Sequence, residues 1–346
     1  MTYLVVGSGL IGASVGLALR RDDAGVFLED ADPVHAQAAE SLGAGSTTAP
    51  GDVSLVIVAV PPRHLGDAVV AALERFPDAV VTDVGSVKGP PLQTVRASGA
   101  DLSRYVGSHP MAGSERSGPW AATADLFDGR AWAVTPHEQS SEQAVQAVRA
   151  LAIRCGAVVV ELPADEHDAA VARVSHLPHL LSVLAAGTLV GAPPLHLALS
   201  GPGLRDVTRI AGGDPDLWQE IVTANAQPIR ELLQDVRERL DELLRGVDDG
   251  SVTEVLQRGV AGTRLVPGKH GAPAPAYSVV YVTLPDSPGQ LARLFTDAGE
   301  SGVNIEDFRI DHDPGRPVGL AEVVVNEQAA ATLVRALSER GWSVSQ

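Results

Sequence analysis

The chain has 346 residues, of which 45% are hydrophobic and 20% charged, as in a folded protein of two to three domains. Its formal net charge of -17 argues against a general nucleic-acid binder, because binding to phosphate requires an excess of lysine and arginine. The single cysteine, Cys155, excludes an intrachain disulfide and a zinc site.

The sequence also bears on the compartment. We find no apolar run of membrane-spanning length and no basic signal region at the N-terminus. A chain with a single cysteine is typical of a reducing compartment. We therefore expect a cytoplasmic protein that binds neither a membrane nor nucleic acid.

A glycine-rich motif follows the first predicted strand. The β-branched run Tyr3–Val6 leads into the sequence Gly7-Ser8-Gly9-Leu10-Ile11-Gly12, and a helix is predicted over Ala13–Arg20. Strand, GxGxxG and helix in this order are typical of a dinucleotide-binding site. The first glycine permits a tight turn, the second lets a pyrophosphate approach the backbone, and the third lets the helix pack on the strand. The pyrophosphate is then expected at the unpaired N–H groups of the helix N-terminus.

The second predicted strand, Val26–Leu28, supplies the acidic residue of this motif. Asp30 stands at the strand end and is a better candidate than Glu29 or Asp32 for binding the adenosine ribose hydroxyls. Its charge should repel the 2′-phosphate of NADP, so NAD is the expected cofactor. The predicted cofactor-binding residues are Gly7, Gly9, Leu10, Ile11, Gly12 and Asp30.

Further strands and helices alternate up to Pro163, which predicts a dinucleotide-binding domain over residues 1–163. The run Val56–Val60 is continuously apolar, as expected for a parallel strand covered on both faces. The predicted elements are strands over Leu55–Val60, Ala79–Asp83, Ala131–Thr135 and Val158–Leu162, and helices over Leu65–Arg75 and Glu142–Cys155.

Ser86 and Lys88 follow the strand Ala79–Asp83. Ligands of doubly wound sheets bind beyond the carboxyl ends of the strands, so both side chains should face the cofactor cleft. Ser86 could instead be the N-cap of a helix.

The stretch Gly107–Gly118, with the sequence GSHPMAGSERSG, is predicted to be a polar loop that carries His109 and Ser114. Ordering such a loop costs conformational entropy and buries little apolar surface, which favours a functional role. The alternative is an ordinary surface turn in which His109 is merely solvated.

The sequence from Asp165 to about Leu244 predicts helices, and we expect a helical domain over residues 164–262. Pro178 should kink its helix and free a carbonyl group. His176 and His179 share one helix face, but no cysteine or carboxylate completes a zinc site, so no metal is expected. The alternative is two histidines on a helix surface.

Two later features of this domain suggest binding and association. Arg209 follows a Gly-Pro turn and suits bidentate recognition of a carboxylate, with a surface ion pair to Asp206 as the alternative. A long helix is predicted to begin at Pro215. Its apolar positions form a face that either packs internally or dimerises; they are Ile229, Leu233, Val236, Leu240 and Leu243.

The last part of the chain is predicted to be a separate module. Residues 263–276 are rich in Gly, Pro and Ala and read as a linker. Residues 277–346 then show the order βαββαβ. The turn Asp286–Gly289 and Asn304 are its candidate ligand-binding positions, because backbone N–H groups in such a turn can hold a carboxylate.

Taken together, these motifs resemble the prephenate dehydrogenase family over residues 1 to about 262. The matching pieces are Gly7–Gly12, Thr82–Gly89, Gly107–Gly118, Val174–His179, Asp206–Ile210 and the segment from Asp214 to Trp218. The tail 277–346 resembles an ACT domain, a module that often binds amino acids; the alternative is a module used solely for dimerisation. The resemblance implies an α/β fold with an N-terminal Rossmann-type doubly wound sheet, an all-α middle domain and a C-terminal ACT-like module.

The resemblance also implies a reaction, the NAD-dependent oxidative decarboxylation of prephenate to 4-hydroxyphenylpyruvate in tyrosine biosynthesis. It assigns His109 as the acceptor of the ring-hydroxyl proton, with Ser86 bridging to the hydroxyl. It makes Arg209 the ligand of the ring carboxylate and His179 a ligand of the side chain, and Ser114 contributes a hydroxyl. A homodimer, and an aromatic amino acid as effector of the tail module, are the implied partners.

Three other functions remain open. Arogenate dehydrogenase catalyses the same reaction type on a substrate with an amino group on the side chain. A 3-hydroxy acid dehydrogenase would use a lysine of the helical domain, but no lysine occurs between Lys88 and Lys269. A sensor without catalytic activity would not need His109, Ser86 and Arg209 together.

Overall fold

The computed structural model describes residues 1–22, 24–48, 51–113, 117–266, 277–312 and 318–346. Ser114 and most of the predicted linker 263–276 therefore lie outside the described residues. The chain divides into two compact units, Met1–Leu240 and Asp241–Gln346.

A parallel sheet with the strand order β2-β1-β3-β4 begins the first unit. Its strands are β1 Thr2–Val6, β2 Gly25–Glu29, β3 Leu55–Val58 and β4 Val80–Asp83. Helices α1 Leu10–Arg20, α2 Pro33–Ser41, α3 Pro62–Arg75 and α4 Gly89–Ser98 alternate with them. The predicted Rossmann-type sheet is confirmed.

Two of these helices, α2 and α4, were not predicted, although α2 has a readable start. Asp32 caps it by accepting a hydrogen bond from the N–H of Val34, and Pro33 follows at the first helical position. Asp followed by Pro is a common beginning of a helix, because the proline lacks an N–H group that would be unpaired there.

A second sheet with the order β5-β6-β7 follows. It contains β5 Gly107–Pro110, β6 Ala131–Thr135 and β7 Val158–Glu161, and α5 Glu142–Arg154 lies between the last two strands. β5 runs antiparallel to β6, and the N–H of Val106 donates to the carbonyl of Val81 at 3.1 Å, beside β4. The prediction that Gly107–Gly118 is a loop throughout was wrong at its start, because pairing with β6 makes its first four residues a strand.

The apolar side chains of the first unit form clusters on both faces of the parallel sheet. Leu4 belongs to one cluster with Val56, whereas its neighbour Val5 belongs to the other with Ile57. Successive side chains of a strand point to opposite faces, and helices cover both. Burial of each large side chain stabilises the fold by about 1.5–3 kcal/mol. The packed core in turn holds in place the strand ends that carry the site.

Helices form the rest of the first unit. They are α6 Ala164–Val171, α7 Leu177–Gly187, α8 Pro194–Leu197, α9 Pro202–Arg209, α10 Pro215–Ala224 and α11 Ala226–Asp249, which runs into the second unit. The single long helix predicted from Pro215 was wrong, because Asn225 separates α10 from α11.

The predicted irregularity at Pro178 takes the form of a π-helical turn, Ala172–His176, between α6 and α7. The N–H of Leu177 donates to the carbonyl of Ala172, five residues earlier. Proline cannot donate to the fourth residue before it, and the wider turn pairs backbone groups differently around it.

The helical run Ala164–Gly187 is long and apolar enough to cross a membrane by length and composition alone. The expectation that no run reaches that length was therefore wrong. Five polar side chains of this run are buried against other parts of the first unit, namely His167, Asp168, His176, His179 and Ser182. Only 28% of its apolar window is buried.

The second unit contains α12 Thr253–Thr263 and then an antiparallel sheet with the order β11-β8-β10-β9. Its elements are β8 Tyr277–Pro285, α13 Gln290–Glu300, β9 Asp307–His312, β10 Val318–Asn326, α14 Glu327–Glu339 and β11 Val344–Ser345. Val282, Val323, Leu294 and Leu333 are fully buried between the sheet and the two helices. The predicted βαββαβ order is confirmed.

Candidate active site

The glycine motif forms a tight loop between β1 and α1. Gly7 has a φ of +98°, and a Cβ atom there would lie 2.4 Å from the carbonyl oxygen of Ala59. A Cβ atom at Gly12 would lie 1.9 Å from the carbonyl oxygen of Gly7. Both positions therefore require glycine, one for the turn and one for the packing of the helix on the loop.

Gly9 has a different role, because a Cβ atom there would meet nothing within 4 Å. It is the N-cap of α1, and no side chain caps the first turn, so the N–H groups near Leu10 and Ile11 lack a side-chain acceptor. Ser8 is buried, and its Oγ has no hydrogen-bond partner within the described part of the chain. Open space beside unpaired donors fits the phosphates of a dinucleotide.

Asp30 lies directly behind this loop. Its carboxylate accepts hydrogen bonds from the N–H of Ser8 at 2.5 Å and from the N–H of Asp32 at 2.8 Å. Asp30 thus holds the glycine loop in place, a role that the sequence analysis did not assign to it. Its predicted contact with a ribose remains a prediction.

A buried polar cluster joins β4 to β5. Lys88 is 1% exposed; its Nζ forms an ion pair with Asp83 and donates to the carbonyl of Ser108 at 2.6 Å. Tyr105 donates its hydroxyl hydrogen to Asp83 at 2.7 Å, and Ser108 donates to the Asp83 carbonyl at 2.8 Å. Burial lowers the pKa of Lys88, and the charge of Asp83 opposes that shift. The cluster fixes the position of residue 109, the next residue on β5.

Ser86 is half-buried in the loop between β4 and α4. Helix α4 begins at Gly89 with Lys88 as its N-cap, so the alternative of Ser86 as the N-cap of this helix was wrong. β5 lies against β4, so the strand of His109 adjoins the strand that leads into the loop of Ser86.

His109 is connected to two residues of α6. Its Nδ1 lies 3.0 Å from Nε2 of His167, and Nδ1 of His167 lies 2.9 Å from Oδ1 of Asp168. Burial, followed by the charges of His167, Lys88 and His176, lowers the pKa of His109 well below its usual range. A neutral imidazole in this position can accept a proton.

Asp168 accepts hydrogen bonds through both its carboxylate and its backbone carbonyl. Its carboxylate accepts from the backbone N–H groups of Lys88 and Gly89, both at 2.8 Å, and from His167. Its backbone carbonyl accepts from Nδ2 of Asn225 at 2.8 Å. The helical region and the nucleotide-binding region are therefore tied together beside His109.

His179 is buried and lies in a second part of the site. Its ring stacks on Trp218 with the ring centroids 3.5 Å apart and the planes 5° from parallel. It also forms a hydrogen bond with the backbone of Ile210, the residue after Arg209, and burial lowers its pKa. The structure thus brings His179 beside the turn that carries Arg209, whose side chain is exposed at the end of α9.

His176 and Trp218 pack around His179. His176 lies edge-on to Trp218 with the centroids 6.0 Å apart, and its Nδ1 is 3.1 Å from Nδ2 of Asn225. Burial lowers the pKa of His176 to about 4. Both histidines of the predicted helix face are therefore buried, so the alternative of two surface histidines was wrong.

Comparison with known proteins identifies the family. A family model described as prephenate dehydrogenase, nucleotide-binding domain, matches residues 15–161. A second, described as prephenate dehydrogenase, dimerization domain, matches residues 163–259. Together they cover more than half of the chain. It belongs to the prephenate dehydrogenase family.

Relatives of this prephenate dehydrogenase family member support the assignment over most of the chain. The probable prephenate dehydrogenase NovF of Streptomyces niveus is 35% identical over 99% of this chain and 98% of its own. The structure of prephenate dehydrogenase from A. aeolicus with hydroxyphenyl propionate and NAD+ has a TM-score of 0.69 at 27% identity, covering 77% of this chain and 98% of that one. Synechocystis arogenate dehydrogenase has a TM-score of 0.65 at 26% identity, covering 76% and 99%.

The sequence names His109 and His179 as candidates, and their roles remain predictions, whereas His167 and Asp168 were not predicted. His167 and Asp168 are adjacent in the first turns of α6, but this pattern alone does not indicate a function. Acidic residues are common near a helix N-terminus, because the helix dipole favours negative charge there. Their proximity to His109 depends on contacts across 58 residues of chain. Ser114 lies outside the described residues, so its predicted role remains a prediction.

Proposed function

We propose that this protein catalyses the oxidative decarboxylation of prephenate to 4-hydroxyphenylpyruvate with NAD as hydride acceptor. The observation that carries the proposal is His109, an imidazole kept neutral by burial near the end of β5, which adjoins β4 of the parallel sheet. It lies in a chain whose nucleotide-binding and helical domains both match the prephenate dehydrogenase family.

The cradle fits NAD. Gly9, Leu10 and Ile11 offer an open, uncapped helix N-terminus to the pyrophosphate. Asp30, positioned by Ser8 and Asp32, would bind the adenosine ribose and repel a 2′-phosphate. Bound there, NAD would supply the acceptor for the hydride that leaves the carbinol carbon of the substrate.

His109 accepts the proton of the ring hydroxyl while the hydride leaves, and Ser86 bridges to that hydroxyl. Loss of the ring carboxylate as CO2 then yields an aromatic product. The low pKa of His109 matters here, because an imidazolium cannot accept a proton. Proton transfer to a positioned base contributes about 10²–10⁴-fold to the rate.

The two carboxylates of prephenate need cations or donors. Arg209 would bind the ring carboxylate, because a guanidinium can hold a carboxylate through two parallel hydrogen bonds. His179, held against Trp218 beside the same turn, would bind the pyruvyl side chain. Ser114 would add a hydroxyl group.

The decisive assay follows NADH formation with prephenate and arogenate side by side. We expect turnover with prephenate, and a His109→Asn variant that is slower by about 10²–10⁴-fold while its affinity for NAD is unchanged. His137 provides a matched control: it is half-buried and bonded to the carbonyl of Tyr105 outside the site, so His137→Asn should retain activity. Turnover of arogenate alone would establish the alternative activity, and turnover of neither would favour a sensor.

We also propose a cytoplasmic homodimer. Large apolar side chains of the helical region are exposed in the single chain, which is unfavourable in a monomer. They include Val174, Leu184, Val190, Leu195 and Leu199, between 64% and 87% exposed. The matching family model is described as a dimerization domain. Light scattering after size exclusion should give twice the chain mass of 35.9 kDa.

The tail module would bind an aromatic amino acid, tyrosine first, between two paired copies. Helix α13 begins directly after the turn Asp286–Gly289, where Gly289 has a φ of +88° and no side chain caps the helix. Its N–H groups can hold a carboxylate. The side-chain amide of Asn304 donates to Glu306 at 2.8 Å. Asn304 can also offer side-chain donors and acceptors to the amino acid.

A further inference from the structure

His167 and Asp168 have no role in the reaction described so far, yet both are buried directly behind His109. His167 is 1% exposed, and the line of contacts runs from His109 through His167 to Asp168 at 3.0 and 2.9 Å. A buried histidine and aspartate are costly unless each is well paired. The line joins β5 to α6 through side chains alone.

The backbone fixes the direction of these hydrogen bonds. Oδ1 of Asp168 accepts from the N–H of Lys88, and Oδ2 accepts from the N–H of Gly89. Backbone N–H groups can only donate, so both carboxylate oxygens are acceptors. His167 must therefore carry its hydrogen on Nδ1 and donate it to Asp168.

The same constraint passes to His109. A neutral His167 with its hydrogen on Nδ1 has a lone pair on Nε2, which faces Nδ1 of His109. His109 must then donate from Nδ1 to His167. Its own Nε2 carries the lone pair, and is the atom left to accept a proton.

We propose that His167 and Asp168 are positioning residues that fix the tautomer and orientation of His109 for proton abstraction. The inference rests on the proposed function, in which His109 accepts the hydroxyl proton. That proton binds to Nε2 of His109, while the hydrogen on Nδ1 stays bonded to His167. The Asp168 carboxylate at the far end stabilises the resulting imidazolium, as the aspartate of a serine-protease triad does through one histidine.

Other charges around His109 do not replace this arrangement. Lys88 and His176 disfavour a positive charge on His109. The Lys88 charge is compensated by Asp83, its buried ion-pair partner. Of these neighbours, Asp168 is the carboxylate that is connected to the imidazole through hydrogen bonds.

Three variants test the proposal, with kcat measured at saturating prephenate and NAD. In His167→Gln, one amide can still donate to Asp168 and accept from His109, because its N and O are spaced like the two ring nitrogens. We expect kcat to stay within about tenfold, the worth of one altered hydrogen bond. His167→Phe keeps the ring volume but removes both bonds, and should lower kcat on the order of 10²-fold.

Asp168→Asn should be the most damaging of the three. When its amide oxygen accepts from the N–H of Gly89, its NH₂ group takes the place of Oδ1, donates to Nδ1 of His167 and reverses the line. His109 would then carry its hydrogen on Nε2, the wrong tautomer, and kcat should fall on the order of 10³–10⁴-fold. KM for NAD should be unchanged in all three variants.

A purely structural role predicts another order. A buried aromatic ring would then replace His167 at least as well as glutamine, so equal kcat values for His167→Phe and His167→Gln would overturn the proposal. His137→Phe and His137→Gln serve as the matched pair and should both retain activity. If His109→Asn is fully active, the proposed function of His109 fails; if it is inactive and His167→Phe is not, only the present inference fails.

A second measurement does not depend on turnover. In full-length protein labelled with ¹⁵N-histidine, we expect NMR to show His109 with hydrogen on Nδ1 and none on Nε2 at neutral pH. Asp168→Asn should exchange these positions. The Nε2–H tautomer of His109 in the unmutated protein would contradict the proposal, whether or not the variants fold well.

Discussion

At the scale of single residues, the site depends on charges that are buried in pairs. Lys88 and Asp83 lie almost without solvent contact, and Tyr105 and the Ser108 carbonyl complete their hydrogen bonding. Such a pair adds little net stability, but it leaves a costly unpaired charge if one partner is removed. Its function here is to hold β5, and with it His109, at a fixed place.

The pKa of His109 predicts the pH dependence of the reaction. Its pKa is lowered, so His109 is neutral and competent above that pKa and becomes protonated and inactive as the pH falls through it. The acid limb of kcat/KM for prephenate should therefore lie below pH 6.5, the ordinary value for histidine. A profile of kcat/KM from pH 4.5 to 9 checks this.

The same profile for His109→Asn is the control for that assignment. Its residual activity should lack the acid limb, since the titrating base is gone. A limb centred at or above pH 6.5 in the unmutated enzyme would mean that His109 is not desolvated in the working site.

At the scale of elements, two short loops after parallel strands build the proposed cofactor site. The loop after β1 needs glycine at its turn and at its contact with the helix, whereas the end of β2 supplies the carboxylate that holds it. The two parts depend on each other, because Asp30 accepts a hydrogen bond from the N–H of Ser8, which lies inside the glycine motif.

Asp30→Asn should therefore have two effects. It keeps the shape of the side chain but removes the charge that repels a 2′-phosphate, so the ratio of kcat/KM for NAD over NADP should fall by at least about tenfold. It also weakens the bond to Ser8, because a charged acceptor is stronger than a neutral one, and KM for NAD should rise. Steady-state kinetics with both cofactors measures each effect.

Asp32→Asn is the matched control for this prediction. Asp32 caps α2 by accepting a hydrogen bond from the N–H of Val34, and its side chain is exposed. The Asp32→Asn variant should therefore keep the cofactor preference of the unmutated protein. Equal use of NAD and NADP by the unmutated protein would contradict the role of Asp30.

At the scale of the whole molecule, the chain consists of a site-bearing unit and a second unit with its own core. A fused module can bias an enzyme only through a ligand that binds two of its conformations with different affinity. This gives the tail a testable role that is separate from catalysis.

Deleting residues 268–346, a cut outside the described residues, should leave an active dimer that tyrosine no longer inhibits. In the full chain, Asn304→Ala should raise the tyrosine concentration for half-inhibition without changing kcat, since Asn304 lies outside the first unit. Inhibition curves with tyrosine for the three proteins decide the matter. Full inhibition of the truncated enzyme would mean that tyrosine acts at the active site.

The sequence by itself determined the features that depend on local chemistry. The turn at Gly7 admits only glycine, and the βαββαβ order of the tail follows from alternating apolar runs, so both were predictable. These inferences succeeded because each depends on residues that are close together in the chain.

The tertiary structure decided what depends on distant residues. The start of Gly107–Gly118 is a strand only because β6 pairs with it, and the predicted long helix breaks at Asn225, where Nδ2 bonds to Asp168, 57 residues away. The line from His109 to Asp168 likewise spans contacts of 58 residues, and Lys88 meets Asp168 across 80. Local preference cannot specify such contacts, because their free energy exists only once the core has brought the elements together.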